Sequence, residues 1–142
     1  MFIGEYAHTL DEKGRLAIPV KFRSELKKAV ITKGLDGCLV VYPAGEWKKL
    51  ADRLAALPIS QANPRAFSRL MLAGAMDVAV DNQGRVMIPE YLRRFANLTK
   101  KAVLAGLYNR VEIWEEAAWG RYRKDLEGKS AAIAEQLGDL GV

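Results

Sequence analysis

Arg15-Leu16-Ala17-Ile18 alternates with a period of two, as a half-buried strand does, which sends Leu16 and Ile18 inward and Arg15 outward. Just ahead of it, Asp11-Glu12-Lys13-Gly14 places an aspartate three residues before a glycine. The carboxylate caps a type I turn and the glycine takes the left-handed position after it, so a tight hairpin turn is predicted from Asp11 to Gly14. Pro19 suits the first position of a short helix whose apolar stripe is Phe22 and Leu26 and whose solvent side carries Arg23. Ala29 to Thr32 and Cys38 to Tyr42 then read as two strands around a Gly34-Leu35-Asp36-Gly37 turn.

The period changes after this first unit. Trp47, Leu50, Leu54 and Leu57 share one face of a helix that Pro58 stops, and Asn63-Pro64 is expected to cap and open another with Phe67, Leu70 and Met71 as its stripe. From Val80 the first pattern returns. Val80-Asp81-Asn82-Gln83-Gly84-Arg85-Val86-Met87-Ile88-Pro89 lies over Leu10-Asp11-Glu12-Lys13-Gly14-Arg15-Leu16-Ala17-Ile18-Pro19, with Asp, Gly, Arg, Ile and Pro coinciding at an offset of 70. Arg23 meets Arg93, Lys27-Lys28-Ala29-Val30-Ile31 parallels Lys100-Lys101-Ala102-Val103-Leu104, and Trp47 parallels Trp119.

Two copies are too few for a solenoid. The expected fold is mixed α/β (α+β), with two pseudo-symmetric β-β-α-β-β halves in one pseudo-two-fold domain over 1–127. Repeat one spans 1–60 and repeat two 76–122, with a helical connection between them and a tail at 128–142. A helical segment from Glu115 to about Leu126 closes the second copy, and Lys129 to Val142 reads as a loose terminal helix or a frayed tail.

Composition narrows the function classes. With 142 residues, half of them apolar and 27% charged, the chain has a globular balance and can bury roughly 68% of its unfolded surface. The longest apolar run, Leu70 to Met76, is too short to span a bilayer, and Met1 to Tyr6 shows no basic region ahead of an apolar core, so no membrane partner and a cytoplasmic location are expected. Cys38 is the only cysteine and sits in an apolar strand, where a buried structural thiol is expected. His8 is the only histidine. No zinc-like Cys/His spacing, glycine-rich phosphate loop or Ser-His pair is present, so we expect no catalytic residue, cofactor, metal or small-molecule substrate. Asp11 and Asp81 could meet as a carboxylate dyad, but each has an arginine four residues on, which favours the ionised form over a shared proton.

The net charge of +5 is unevenly distributed. Lys13 to Lys28 holds six cations against Glu25, and Arg85 to Lys101 holds five against Glu90, which leaves the rest of the chain net acidic. Asp11/Arg15 and Asp81/Arg85 can pin their hairpins, and the same geometry aims an arginine fork at phosphate oxygens or a guanine edge. Two equivalent basic hairpins with their helix faces make one broad positive surface suited to duplex DNA.

Gly4-Glu5-Tyr6 with His8, the two D-x-x-G-R-x-x-I-P runs at Asp11–Pro19 and Asp81–Pro89, and the closing Val111-Glu112-Ile113-Trp114 segment resemble the MraZ family of bacterial transcriptional regulators over roughly residues 1 to 126. The resemblance implies an AbrB-like swapped-hairpin β-barrel with added helices, one chain doing what two AbrB chains do. It implies DNA contact by Arg15 with Arg23 and by Arg85 with Arg93, to which Lys13, Lys21 and Arg94 add cations on the same elements, with Asp11, Gly14, Asp81 and Gly84 shaping the turns. The second copy departs from the first in carrying Asn82-Gln83 where Glu12-Lys13 stand, so it lacks the Lys13 cation. The resemblance further implies a ring-shaped homo-oligomer, nucleoid-associated, that binds short direct repeats in promoter DNA upstream of the cell division and cell wall gene cluster, its own gene included, as a repressor. The alternative is an AbrB-fold antitoxin-like module that binds a protein.

Overall fold

In the computed structural model, which describes residues 1–142, Leu16, Ile18, Val86 and Ile88 are all buried while Arg15, Ala17 and Arg85 stay half-exposed and Met87 exposed, so both copies follow the alternation written in them. Each half runs strand, strand, helix, strand, strand. The first comprises β1 (Phe2–Thr9), β2 (Arg15–Ala17), α1 (Val20–Arg23, extended by a 3₁₀ turn at Ser24–Leu26), β3 (Ala29–Lys33) and β4 (Leu39–Pro43). The second comprises β5 (Met76–Val78), β6 (Arg85–Met87), α4 (Glu90–Phe95), β7 (Lys101–Tyr108) and β8 (Val111–Glu115), after the connecting helices α2 (Ala44–Ala55) and α3 (Ala62–Ser68). Two helices, α5 (Glu116–Gly128) and α6 (Ser130–Glu135), and a 3₁₀ turn at Gly138–Leu140 follow.

The halves are interleaved. β1 of the first copy pairs antiparallel with β7 of the second, from Phe2 opposite Tyr108 to Thr9 opposite Lys101. Reciprocally, β5 of the second copy pairs with β3 of the first, from Ala29 opposite Val78 to Ile31 opposite Met76. The β3–β4 and β7–β8 hairpins meet through β4 and β8, which gives a six-stranded antiparallel sheet in the order β1-β7-β8-β4-β3-β5. β2 and β6 form a separate two-stranded ribbon. These pairings do not close a barrel: β1 and β5 remain the two edges of the large sheet, and β5 contributes only three residues to it.

One apolar core lies between the ribbon, the sheet and the short helices. It joins Leu16, Ile18, Val86 and Ile88 of the ribbon to Phe22, Leu26 and Leu92 of the helices and to Phe2, Ile31, Leu39, Leu104 and Ile113 of the sheet. Phe22 receives the rings of Phe2 and Tyr6 edge-on at 5.2 and 5.3 Å, an arrangement that matches the aromatic quadrupoles. A smaller cluster on the other face stacks Trp114 on Tyr122 of α5, with Trp119 tilted against it, and encloses Cys38 and Val40.

Three local expectations are shifted. Pro19 and Pro89 cap their helices from outside and do not occupy the first helical turn, because φ near −51° and −57° with ψ near 137° and 149° is extended backbone. Asn63 does not cap α3. Gln61 precedes the helix without a side-chain bond, and Pro64 sits within the first turn, where its missing N–H has no intrahelical partner to lose. The α3 stripe also breaks: Arg69–Ala73 widens into a π-helical turn, which changes the phase so that Met71 is buried, Leu70 half-buried and Phe67 exposed. The fully buried hydroxyl of Thr32 donates to the carbonyl of Met71 in that turn at 2.7 Å. No helix is long and apolar enough to cross a membrane.

Candidate nucleic-acid interface

Both hairpin turns are built by one aspartate in the same way. Asp11 Oδ1 accepts the backbone N–H groups of Lys13 and Arg15 at 3.0 and 2.9 Å, and Asp81 Oδ1 accepts those of Gln83 and Arg85 at 2.8 and 3.0 Å. Backbone bonds from Gly14 to Asp11 and from Gly84 to Asp81, each 3.0 Å, close the turns, with the glycines at φ 85° and 78°. Donation from the Arg15 and Arg85 amides is the main reason that both carboxyls are held below their ordinary value, against the opposing pull of partial desolvation. Neither carboxyl is raised, so the pair does not share a proton as an acid–base dyad would.

The ribbon then sets the two arginines side by side. In its register Arg15 faces Met87, Leu16 faces Val86 and Ala17 faces Arg85. Arg15 and Arg85 are therefore diagonal neighbours on the outer face, about 7–8 Å apart at the backbone, with only Ala17 and the exposed Met87 completing that face. The side chains are 30% and 26% exposed. Asp11 Oδ2 accepts from Arg15 Nε at 2.6 Å and also from Arg85 Nη1 of the other copy at 3.4 Å.

Arg23 and Arg93 are placed differently. Arg23 Nε donates to the carbonyl of Ile18 at 2.8 Å, and Arg93 Nη1 donates to that of Ile88 at 2.7 Å and to that of Lys13 at 3.3 Å. Each guanidinium lies over the turn glycine of the opposite copy, Arg93 on Gly14 and Arg23 on Gly84, so closely that a Cβ at either glycine would overlap it. Two further backbone bonds of 2.9 Å, from Ile18 to Gly84 and from Ile88 to Gly14, complete a reciprocal clasp. The helical pattern turns Arg23 to solvent, and no periodicity shows that either arginine crosses to the other repeat.

The remaining cations stand on the first turn and on the helices that follow the ribbon strands. Lys13 at the first turn and Lys21 on α1 are exposed and make no ion pair, whereas Arg94 on α4 is bonded to Glu90 at 2.6 Å in an exposed i, i+4 pair of small energetic weight. Gln83, at the tip of the second turn, enters the sequence comparison only as the loss of the Lys13 cation, yet its Oε1 accepts from Arg85 Nη2.

Elsewhere the side chains offer little reactive chemistry. Burial, with the Glu112 carboxylate nearby, pushes the Cys38 thiol up to about 12, so the thiolate that a nucleophile or metal ligand requires is not populated at neutral pH. His8 is half-buried within β1, and no group of three or more His, Cys, Asp or Glu residues could hold a metal ion.

A family model described as "MraZ protein, putative antitoxin-like" matches this chain twice, over residues 1–70 and 71–139. The chain is 49% identical over 143 aligned positions, spanning all of both chains, to a protein of Desulfitobacterium hafniense named "Transcriptional regulator MraZ". Proteins of the same name from Halothermothrix orenii and Clostridium acetobutylicum are 49% and 47% identical, again over the whole of both chains.

Proposed function

Because the chain belongs to the MraZ family, whose relatives are named transcriptional regulators, we propose that it regulates transcription by laying the outer face of the β2–β6 ribbon on the major groove of promoter DNA. The observation that carries this reading is the pairing of Arg15 and Arg85 on one open face, each with its backbone locked by a turn aspartate. The major groove of B-form DNA admits a two-stranded ribbon, and arginine is suited to guanine O6/N7 and to phosphate. Lys13, Lys21 and Arg94 border the ribbon where phosphates would run. Arg23 and Arg93 act at one remove, by fixing the hairpins that present the other two arginines.

The reciprocal exchange of β1 and β5 supports an AbrB-like swapped-hairpin relationship, in which one duplicated chain replaces two. The targets are short direct repeats upstream of the bacterial cell division and cell wall gene cluster, with the chain's own gene included and repression as the effect. A few contacts per subunit bind weakly. A ring of identical subunits on successive repeats gains by effective concentration, and nucleoid association follows from such binding. No catalytic step belongs to this reading.

The test is a binding titration against upstream and scrambled duplexes over a range of salt. Arg15→Ala with Arg85→Ala should weaken binding to the upstream duplex and flatten the dependence of log K on log salt, with little change in melting. Binding as tight as wild type at equal salt overturns the role of these arginines. The words "antitoxin-like" in the family description favour a second reading, a protein-binding module. Recovery of one stoichiometric protein partner together with no DNA shift would support it.

A further inference from the structure

The two hairpins share a backbone but grip their arginines differently. In the first, Asp11 holds Arg15 through Nε, and the two Nη groups of Arg15 meet no protein acceptor. In the second, Asp81 Oδ2 stands 3.7 Å from Arg85 Nε, which is buried without a hydrogen-bond partner. Arg85 is held instead at its outer nitrogens, Nη1 by Asp11 across the ribbon and Nη2 by the side-chain carbonyl of Gln83. Gln83 occupies the position at which the first copy has Lys13.

We propose that Gln83 is a specificity-determining residue of this interface: its carbonyl oxygen orients Arg85, and its amide N–H donors face a base edge beside the one that Arg85 contacts. The inference rests on the reading of the ribbon given above. An amide carries no net charge and displaces no counterion, so its contribution lies in orientation and hydrogen bonding, the terms that distinguish sequences. Lys13, at the matching place, is a point charge on a flexible stem that fits the phosphates of any sequence. The two halves of one chain therefore read unlike steps. The Arg85–Gln83 pair presents a row of donors, which fits neighbouring major-groove acceptors such as purine N7, guanine O6 or thymine O4.

The experiment titrates the full chain with its own upstream duplex and with a scrambled duplex at several salt concentrations. Gln83→Ala should lower the ratio of the two affinities by about 5- to 150-fold, the range for loss of one good base contact, and leave the salt slope unchanged. Lys13→Ala should lower both affinities together and reduce the slope by about one. Gln83→Lys, which restores the residue of the first copy, should steepen the slope by about one and still lose the ratio. A ratio within about twofold of wild type in Gln83→Ala, or an equal loss on both duplexes, overturns the proposal. If wild type prefers the upstream duplex and Gln83 substitutions leave that preference intact, only this inference falls. A wild type with no preference overturns the broader reading as well.

Discussion

The first and second copies differ less in fold than in what each lends the other. Asp11 serves arginines of both copies, whereas Asp81 makes no arginine side-chain hydrogen bond and leaves Arg85 to Asp11 and Gln83. Arg93 of the second copy bonds two carbonyls, one of them in the first hairpin, whereas Arg23 bonds one within its own copy. A duplicated sequence can thus keep its backbone symmetry while its side chains divide the labour. Backbone turns need only an aspartate and a glycine at fixed spacing, but guanidinium contacts depend on whatever residue stands at the tip.

The comparison can be broken most severely at the turn glycines. Gly14→Ala should cost on the order of 2–4 kcal/mol, because it combines a left-handed backbone with displacement of Arg93 from charged hydrogen bonds. Gly84→Ala should cost somewhat less, since Arg23 gives up one bond rather than two. Gly37→Ala isolates the backbone term at about 1 kcal/mol, because φ there is 82° and the space around it is open. Urea denaturation of the three variants checks the order, and equal losses at Gly14 and Gly37 would sink the clasp.

The arginines sharpen the same contrast on a smaller scale. Arg93→Ala should destabilise by about 1–2 kcal/mol and Arg23→Ala by about 1 kcal/mol, values reduced for half-exposed groups. Chemical denaturation midpoints at constant m-value would measure the gap. An Arg23 variant less stable than the Arg93 variant contradicts the asymmetry.

The aspartates give the smallest and most selective effect. Both have folded-state values depressed below 3.8, so the stability they add is complete above that value and disappears as pH falls through it toward the depressed one. Asp11→Asn should flatten this acid limb more than Asp81→Asn, because Asp11 also accepts from two guanidinium groups. Stability measured at intervals between about pH 2 and 6 decides whether the two limbs differ.

The turns, the inward Leu16 and Ile18, and the outward Arg15 and Arg85 were legible because each follows from spacing of a few residues along one strand. The duplication was legible for the same reason, since Asp, Gly, Arg, Ile and Pro recur in register. Strand exchange had no trace in the periodicity and was implied only by the family resemblance. Whether β1 pairs within its copy or with β7 depends on packing between residues some hundred positions apart. The π-helical turn at Arg69–Ala73 was hidden similarly, because a stripe of Phe67, Leu70 and Met71 presumes regular 3.6-residue turns. The helical pattern turns Arg23 to solvent, whereas Arg23 and Arg93 are half-buried over a glycine of the other copy, a reach that leaves no periodic trace. Gln83 counts in the sequence only as a missing cation, because the bond from Arg85 Nη2 to its carbonyl depends on side-chain geometry that spacing does not encode.

Strand exchange also governs how the chain is made. Phe2 leaves the ribosome well before its partner Tyr108, which follows more than a hundred residues later. At roughly 5–20 residues per second, β1 waits on the order of 5 to 20 seconds as an unpaired strand on the nascent polypeptide. Its makeup suits that delay: Gly4 at φ 91° interrupts the extended backbone, and Glu5 puts a charge on the exposed edge. Both features discourage pairing with a neighbouring chain. In the finished fold Glu5 accepts from Trp119 Nε1 and Arg123 Nη1 of α5, so the charge that guards the waiting strand becomes a tie once the other half arrives.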